Sequence, residues 1–218
     1  MNPTPVFVIE VLLGILGATL LVAAGWRLAT HRVSIPCPPW LAWLLEMPLT
    51  SNLRLENLLE RLDLQPGMQV LDAGCGPGRL TVPVAQRVGA AGHVTAVDIQ
   101  AGMLSRAQAR VGAAGLENVT FLHAGLGRGA LQRSRYDRAL LVTVLGEIPD
   151  RQAALREIFQ SLKPGGMLSV SEVVYDPHFQ PRCRLRRLSA AIGFREVAFH
   201  GNSFAFTLNL QRPPHAAG

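Results

Sequence analysis

The chain has 218 residues, 49% of them hydrophobic, and a formal net charge of +6 that is almost all arginine, because Lys163 is its one lysine. That length holds one ordinary domain plus an appendage; the apolar excess points to a membrane segment, and the charge suits a neighbour of an anionic lipid surface better than a nucleic-acid binder. Cys37, Cys75 and Cys183 are far apart and form no CxxC pair, which speaks against a zinc site and a disulfide framework; no metal is expected, and a reducing compartment is the default.

Pro5 to Trp26 is almost wholly apolar, with Glu10 its only charge. About 20 apolar residues span a bilayer, so this stretch is long enough for a single transmembrane helix. Arg27, His31 and Arg32 follow it, and no basic residue precedes it. Length and flanking charge favour a membrane anchor over a cleaved signal peptide, which would carry a basic start, or a buried core helix. The charge asymmetry places the C-terminal side, and with it the main domain, in the cytoplasm. Residues 1–33 are read as the anchor. Residues 34–50 are a junction in which Pro36, Pro38 and Pro39 stop the helix. Trp40, Leu41, Trp43, Leu44 and Leu45 then make an apolar patch, either interfacial and covering a site or packed on the domain.

The domain is expected over 51–212, with 213–218 a tail. Ser51 to Leu64 has helical spacing at Leu55, Leu58, Leu59 and Leu62, with Thr50 or Ser51 able to cap it. Strands are expected at Met68–Ala73, His93–Asp98, Val119–His123, Tyr136–Thr143 and Met167–Val174. Helices are expected at Leu80–Val88, Met103–Ala114 and Asp150–Leu162, with Lys163-Pro164-Gly165-Gly166 a sharp turn. A helix over Pro181–Ile192 and strands over Phe194–Phe199 and Phe204–Leu210 close the chain. The alternation predicts an α/β fold: a Rossmann-like, doubly wound, seven-stranded sheet, mostly parallel, with an antiparallel strand from the closing hairpin at or near one edge.

The first strand ends in Val70-Leu71-Asp72-Ala73-Gly74-Cys75-Gly76-Pro77-Gly78-Arg79. A glycine turn between a strand and a helix lets backbone approach a ligand. It is no P-loop, since the sole lysine is elsewhere, and no dinucleotide site, since Arg79 stands where the third glycine belongs. A second strand ends in Asp98, one βαβ unit later, where a carboxylate can accept from ribose hydroxyls. The set suits a mononucleoside with an amino-acid tail.

From about Leu53 to Gln211 the sequence resembles the class I S-adenosylmethionine-dependent methyltransferases. Five stretches in family order carry the resemblance: Val-Leu-Asp-Ala-Gly-Cys-Gly-Pro-Gly-Arg, Val-Thr-Ala-Val-Asp-Ile-Gln-Ala-Gly-Met-Leu, Tyr-Asp-Arg-Ala-Leu-Leu-Val, Gly-Glu-Ile-Pro-Asp and Leu-Lys-Pro-Gly-Gly. The quinone- and lipid-biosynthesis type is the subgroup it looks most like. The resemblance implies that Asp72 and Gly74, Gly76 and Gly78 hold the methionine part of S-adenosylmethionine, Asp98 the ribose, and Ile99 and Met103 the adenine. The family commonly has an aspartate near the adenine amine after the third strand. Gly125 stands there, beside Ala124 and Leu126, so backbone groups are expected to replace that contact. Thr143, after the fourth strand, completes the cofactor set.

Methyl transfer from a sulfonium needs alignment and exclusion of water more than a particular side chain, so the catalytic residue is not readable. Glu147, Glu172 and His178 are candidates near the ends of the fourth and fifth strands; Glu147 has an ordinary alternative as a cap for the helix near Pro149, and His178 as a surface histidine. Cys75 reads as a wall of the turn. The arginines at 182, 184, 186 and 187 form either a solvated helix face or a contact for anionic lipid. The expected function is a membrane-anchored methyltransferase acting on a small lipophilic acceptor: a quinol, phenol, thiol or lipid head group. A non-catalytic, membrane-bound adaptor is the alternative; an RNA methyltransferase rests on charge alone.

Overall fold

A computed structural model describes residues 54–214, together with Gly14 and Gly17. The expected transmembrane helix, the 34–50 segment, the Thr50 or Ser51 cap and the last four residues of the tail therefore lie outside the described residues. Among the described residues no helix is long and apolar enough to cross a membrane.

Over residues 54–214 seven strands and five α-helices follow one another: α1 (Leu55–Leu62), β1 (Gln69–Ala73), α2 (Thr81–Val88), β2 (His93–Asp98), α3 (Ala101–Ala113), β3 (Val119–His123), β4 (Tyr136–Val142), α4 (Arg151–Ser161), β5 (Leu162–Val173), α5 (Arg182–Ile192), β6 (Arg195–Gly201) and β7 (Ala205–Gln211). The sheet order is β3-β2-β1-β4-β5-β7-β6, parallel from β3 through β5. Val70, Leu71, Val94, Ala96, Leu140 and Leu141 are buried because helices cover both faces of the sheet. That burial leaves the C-terminal ends of β1, β2, β4 and β5 as the open rim where loops can build a site.

Lys163-Pro164-Gly165-Gly166 does not turn out of the sheet, because β5 runs through it. The Gly165 amide donates to the Arg212 carbonyl at 2.9 Å and the Arg212 amide to the Gly166 carbonyl at 2.8 Å. The register with β4 jumps between Tyr136↔Leu162 and Arg138↔Met167, so the extra residues are absorbed as an irregularity within the strand. Lys163 serves this junction: its ammonium lies 2.7 Å from Asp137 Oδ1, while Asp137 Oδ2 accepts from the Gln69 amide at 2.8 Å.

The closing hairpin also refines the expectation. β7 is antiparallel to both neighbours and lies between β5 and β6, which leaves β6 at the edge. Burial explains the choice: Ala205 through Leu210 are all buried, whereas β6 is half-buried to exposed. The polar members of β7 are tied down. Thr207 Oγ1 lies 2.8 Å from Ser171 Oγ and accepts from Arg61 Nη1 at 2.8 Å, and Asn209 Nδ2 donates to the Arg61 carbonyl at 2.8 Å. These bonds seat α1 over β5 and β7. The helix itself is shorter than expected and ends at Asp63 in the left-handed region (φ 47°).

The arginine run of α5 is partly structural. Arg182 and Arg186 both reach Glu196 on β6, at 2.9 and 2.7 Å, and the Arg182 guanidinium lies 3.6 Å from the centroid of the Phe199 ring. Arg184 and Arg187 are exposed.

Candidate active site

The glycine turn after β1 is anchored from β2. The amides of Gly74 and Cys75 both donate to the Val97 carbonyl, at 2.8 and 2.9 Å. The Gly76 amide donates to Asp98 Oδ2 at 2.9 Å, and the Gln100 amide to Asp98 Oδ1 at 2.8 Å. Asp98 thus orients the turn with one oxygen and the start of α3 with the other. Each oxygen keeps a second acceptor direction for a ligand hydroxyl. Burial raises the Asp98 carboxyl above its ordinary value, opposed by those two amides.

The three glycines of the turn have different reasons for being glycine. All have positive φ: 76°, 52° and 82° at Gly74, Gly76 and Gly78. A Cβ on Gly78 would lie 2.9 Å from the Ala107 Cα of α3, and one on Gly74 would lie 2.6 Å from both Val144 methyls. Protein packing therefore excludes side chains at these two. Nothing lies within 4 Å of a Cβ on Gly76, so Gly76 is the position where backbone is bare toward a ligand.

Asp72 is buried at 3% exposure. Its Oδ2 accepts from Thr81 Oγ1 at 2.6 Å. Burial pushes its pKa up to about 7; the Thr81 hydrogen bond opposes this and the Asp98 charge adds to it. Burial, with the charges of Asp72 and Asp98, also raises the Cys75 thiol strongly, so Cys75 stays a neutral wall residue rather than a thiolate nucleophile.

These groups open onto a cleft of about 750 Å³ that includes space open to solvent. Asp72, Gly74, Gly76, Asp98, Met103 and Thr143 of the sequence-derived set line it, as does Glu147 among the catalytic candidates. Gly78, Ile99, Gly125 and Leu126 do not. Gly78 is sealed against α3, Ile99 is 52% exposed, and Leu126 packs against the core. Sequence reading missed Pro77, Leu80, Gln100, Val142 and Val144, which also form walls. Leu80, Val142 and Val144 are apolar residues next to functional ones, which no spacing rule separates from core.

Thr143 turns the chain at the end of β4. Its φ of 54° is unusual for a β-branched residue, and such backbone costs on the order of 1–3 kcal/mol. Its amide donates to the Ser171 carbonyl at 2.9 Å and its hydroxyl to the Val142 carbonyl at 2.8 Å. The turn delivers Val144 over Gly74 and leads to the 3₁₀ turn Leu145–Glu147.

Glu172 and His178 stand behind that turn. Gly146 is pressed against the His178 backbone so closely that a Cβ would collide with the His178 carbonyl oxygen. Gln180 holds the segment: its amide donates to Glu172 Oε2 at 3.0 Å and its Nε2 to the His178 carbonyl at 2.6 Å. The His178 amide donates to Asp176 Oδ1 at 2.7 Å. Glu172 is fully buried, and burial, reinforced by Asp176 and Glu147, raises its carboxyl well above the ordinary range against the pull of the Gln180 amide and Arg151. Through its bond to the Gln180 amide it helps hold the 176–180 segment in place. Glu147, like Asp72 and Asp98, lines the cleft. Among the described residues no group of His, Cys, Asp and Glu could hold a metal.

A cofactor with a ribose and an amino-acid tail fits this cleft: Asp98 and the bare backbone of Gly76 are beside each other, and the buried carboxyl of Asp72 suits an ammonium. This has a pH consequence. An ammonium against Asp72 requires the carboxylate form, so affinity for S-adenosylhomocysteine is expected to rise with pH through about 7 and level off above it. The fall below that point is up to about tenfold per pH unit. Folding stability runs the other way, as the raised pKa requires: the contribution of the protonated Asp72 is full below the ordinary value of 3.8 and is lost as pH rises through about 7. Calorimetry in buffers of different ionisation enthalpy should detect the released proton, and Asp72→Asn should remove it. A pH-independent affinity would place the ammonium elsewhere.

Residues 70–166 match the family described as methyltransferase domain. A demethylmenaquinone methyltransferase of Listeria welshimeri is 32% identical over 114 residues, which are 52% of this chain and 48% of that protein. The arsenite methyltransferase of Rattus norvegicus is 36% identical over 119 residues, covering 48% of this chain and 31% of that one. The chain thus spans about half the length, or less, of these curated relatives. In fold it is similar to the crystal structure of a SAM-dependent methyltransferase from Aquifex aeolicus, with a TM-score of 0.73 at 22% identity, covering 81% of this chain and 99% of that one. The domain match, the relatives and the fold agree with the Asp72–Gly76–Asp98 cleft: residues 70–166 form a methyltransferase domain whose cofactor is S-adenosylmethionine.

Proposed function

We propose that the whole chain is a membrane-anchored S-adenosylmethionine-dependent methyltransferase that acts on a small lipophilic acceptor such as a quinol, phenol, thiol or lipid head group. One observation carries the reading: a cofactor cradle of Asp72, Gly76 and Asp98 shares its cleft with the apolar side chains of Leu80, Val142 and Val144. Those side chains offer an acceptor apolar surface. The demethylmenaquinone methyltransferase relative supports a quinone-like acceptor, the apolar run Pro5–Trp26 supports the anchor, and the basic residues after it support a cytoplasmic domain.

When bound, the cofactor supplies a methyl group on an activated sulfonium. The protein's part is to align and to exclude water. Asp98 and the Gly76 backbone fix the nucleoside, and Asp72 the tail. The apolar wall sheds water from the acceptor. Glu147 takes the acceptor's proton where the nucleophile is a weakly acidic hydroxyl or thiol.

The test is transfer of labelled methyl by the full chain in lipid nanodiscs, against a panel of quinols, phenols, thiols and amino lipids. Label is expected in a lipophilic acceptor and not in Asp98→Ala. Binding of S-adenosylhomocysteine without transfer to any panel member would favour a non-catalytic role.

A further inference from the structure

Gly125 is not a glycine for conformational reasons. Gly127 and Gly129 have φ of 87° and 80°, whereas Gly125 is absent from the positive-φ glycines. What it provides is room. A Cβ there would lie 3.2 Å from Arg128 Nε, 3.4 Å from Arg128 Cδ and 3.4 Å from Ile99 Cδ1. An arginine and an exposed isoleucine therefore share the side-chain space over Gly125.

The backbone of this arginine is held on both sides. Glu157 of α4, itself buried, accepts from the Gly127 amide and, at 2.9 Å, from the Leu131 amide. Gly127 is packed so tightly on α4 that a Cβ would lie 2.9 Å from the Ala154 nitrogen. The Arg128 side chain remains exposed, so a fixed loop presents a reachable guanidinium.

The sheet says what that guanidinium meets. β3 pairs with β2 on the side away from β1, with Asp98 beside His123. With the ribose at Asp98 and the amino-acid tail over β1 at Asp72, the base extends the other way, over Ile99 toward the end of β3. We infer that Arg128 donates to the acceptor edge of the cofactor's purine while Ile99 packs on its face, and that the site consequently does not select for the C6 amine. A guanidinium only donates, and the C6 amine of adenine has no proton acceptor to offer it. Ring N7 accepts in either purine. In a deaminated purine the C6 oxygen accepts as well, and N7 with that oxygen matches the bidentate fork of arginine.

This inference rests on the cofactor reading above, and calorimetry of the full chain separates the two. The probes are S-adenosylhomocysteine and S-inosylhomocysteine. Wild type is expected to bind the inosyl ligand at least as tightly as the adenosyl one. Arg128→Ala, at an exposed position and with an unchanged melting temperature, should weaken both by about tenfold, the inosyl ligand more. Gly125→Asp should reverse the order and favour the adenosyl ligand about tenfold, because a carboxylate can accept from the amine. Arg128→Ala indistinguishable from wild type, or wild type rejecting the inosyl ligand tenfold, overturns the role of Arg128 and leaves the cofactor site standing. Failure of wild type to bind either ligand overturns both.

Discussion

Asp98→Ala is expected to lower affinity for S-adenosylhomocysteine by about 100-fold or more. The carboxylate has two tasks, and alanine removes both. It would accept from ligand hydroxyls, and hydrogen bonds to a charged acceptor contribute about 1.5–3 kcal/mol each. It also accepts from the Gly76 and Gln100 amides at 2.9 and 2.8 Å, which without it would be left to water. The turn would then lose the bond that orients Gly76, where the backbone is bare toward the cleft. Asp98→Asn keeps one acceptor oxygen and should fall between the two, losing about tenfold. Titration calorimetry reads both variants. Affinity unchanged in Asp98→Ala would remove this residue from the cofactor site, and the ribose would have to lie elsewhere.

The second large effect is expected at Gly146→Ala. The added Cβ would collide with the His178 carbonyl oxygen, a backbone atom that cannot swing aside like the end of a side chain. The 176–180 segment is held by the Gln180 amide on Glu172, by Gln180 Nε2 on the His178 carbonyl, and by the His178 amide on Asp176. Arg151 Nη2 also donates to the Gly146 carbonyl at 2.7 Å. The segment must lift off or the 3₁₀ turn carrying Glu147 must move. Overpacking of this kind costs about 1–3 kcal/mol of stability. Hydrogen exchange should show lost protection across residues 176–180, and methyl transfer should fall at least tenfold. Affinity for S-adenosylhomocysteine should fall by less than methyl transfer does, since neither Gly146 nor His178 lines the cleft and the Asp98 bonds to Gly76 and Gln100 do not pass through this segment. Unchanged exchange and activity would mean that the Glu147 wall does not depend on this packing.

Much of this was legible in the residues. Periodicity placed β2 at His93–Asp98 and β3 at Val119–His123 with the bounds the structure has, because apolar runs of five or six residues between glycine and polar punctuation have few other solutions. Asp72, the glycine turn and Asp98 could be read because a ligand cradle built from backbone needs glycine at fixed positions along the chain. The Lys163–Gly166 stretch was not legible as strand. Its Pro-Gly-Gly composition signals a turn locally, and only pairing with Arg212, far along the chain, holds it in the sheet. Nor could the Thr143 backbone be read, since a positive φ at a β-branched residue is imposed by its surroundings.

The sequence by itself determined the alternation of strands and helices, the glycine turn between Asp72 and the helix that follows it, and the presence of an apolar run ahead of the domain. Each depends on neighbours within a few residues or one βαβ unit. Tertiary structure alone decided that Gly74 and Gly78 are closed by Val144 and Ala107 while Gly76 stays open, and that Glu147 reaches the cleft while Glu172 is buried behind it. It alone placed Arg128 in the space that Gly125 leaves. The reason is physical: these outcomes depend on which atoms fill a volume, and the atoms come from segments that meet only when the sheet is assembled.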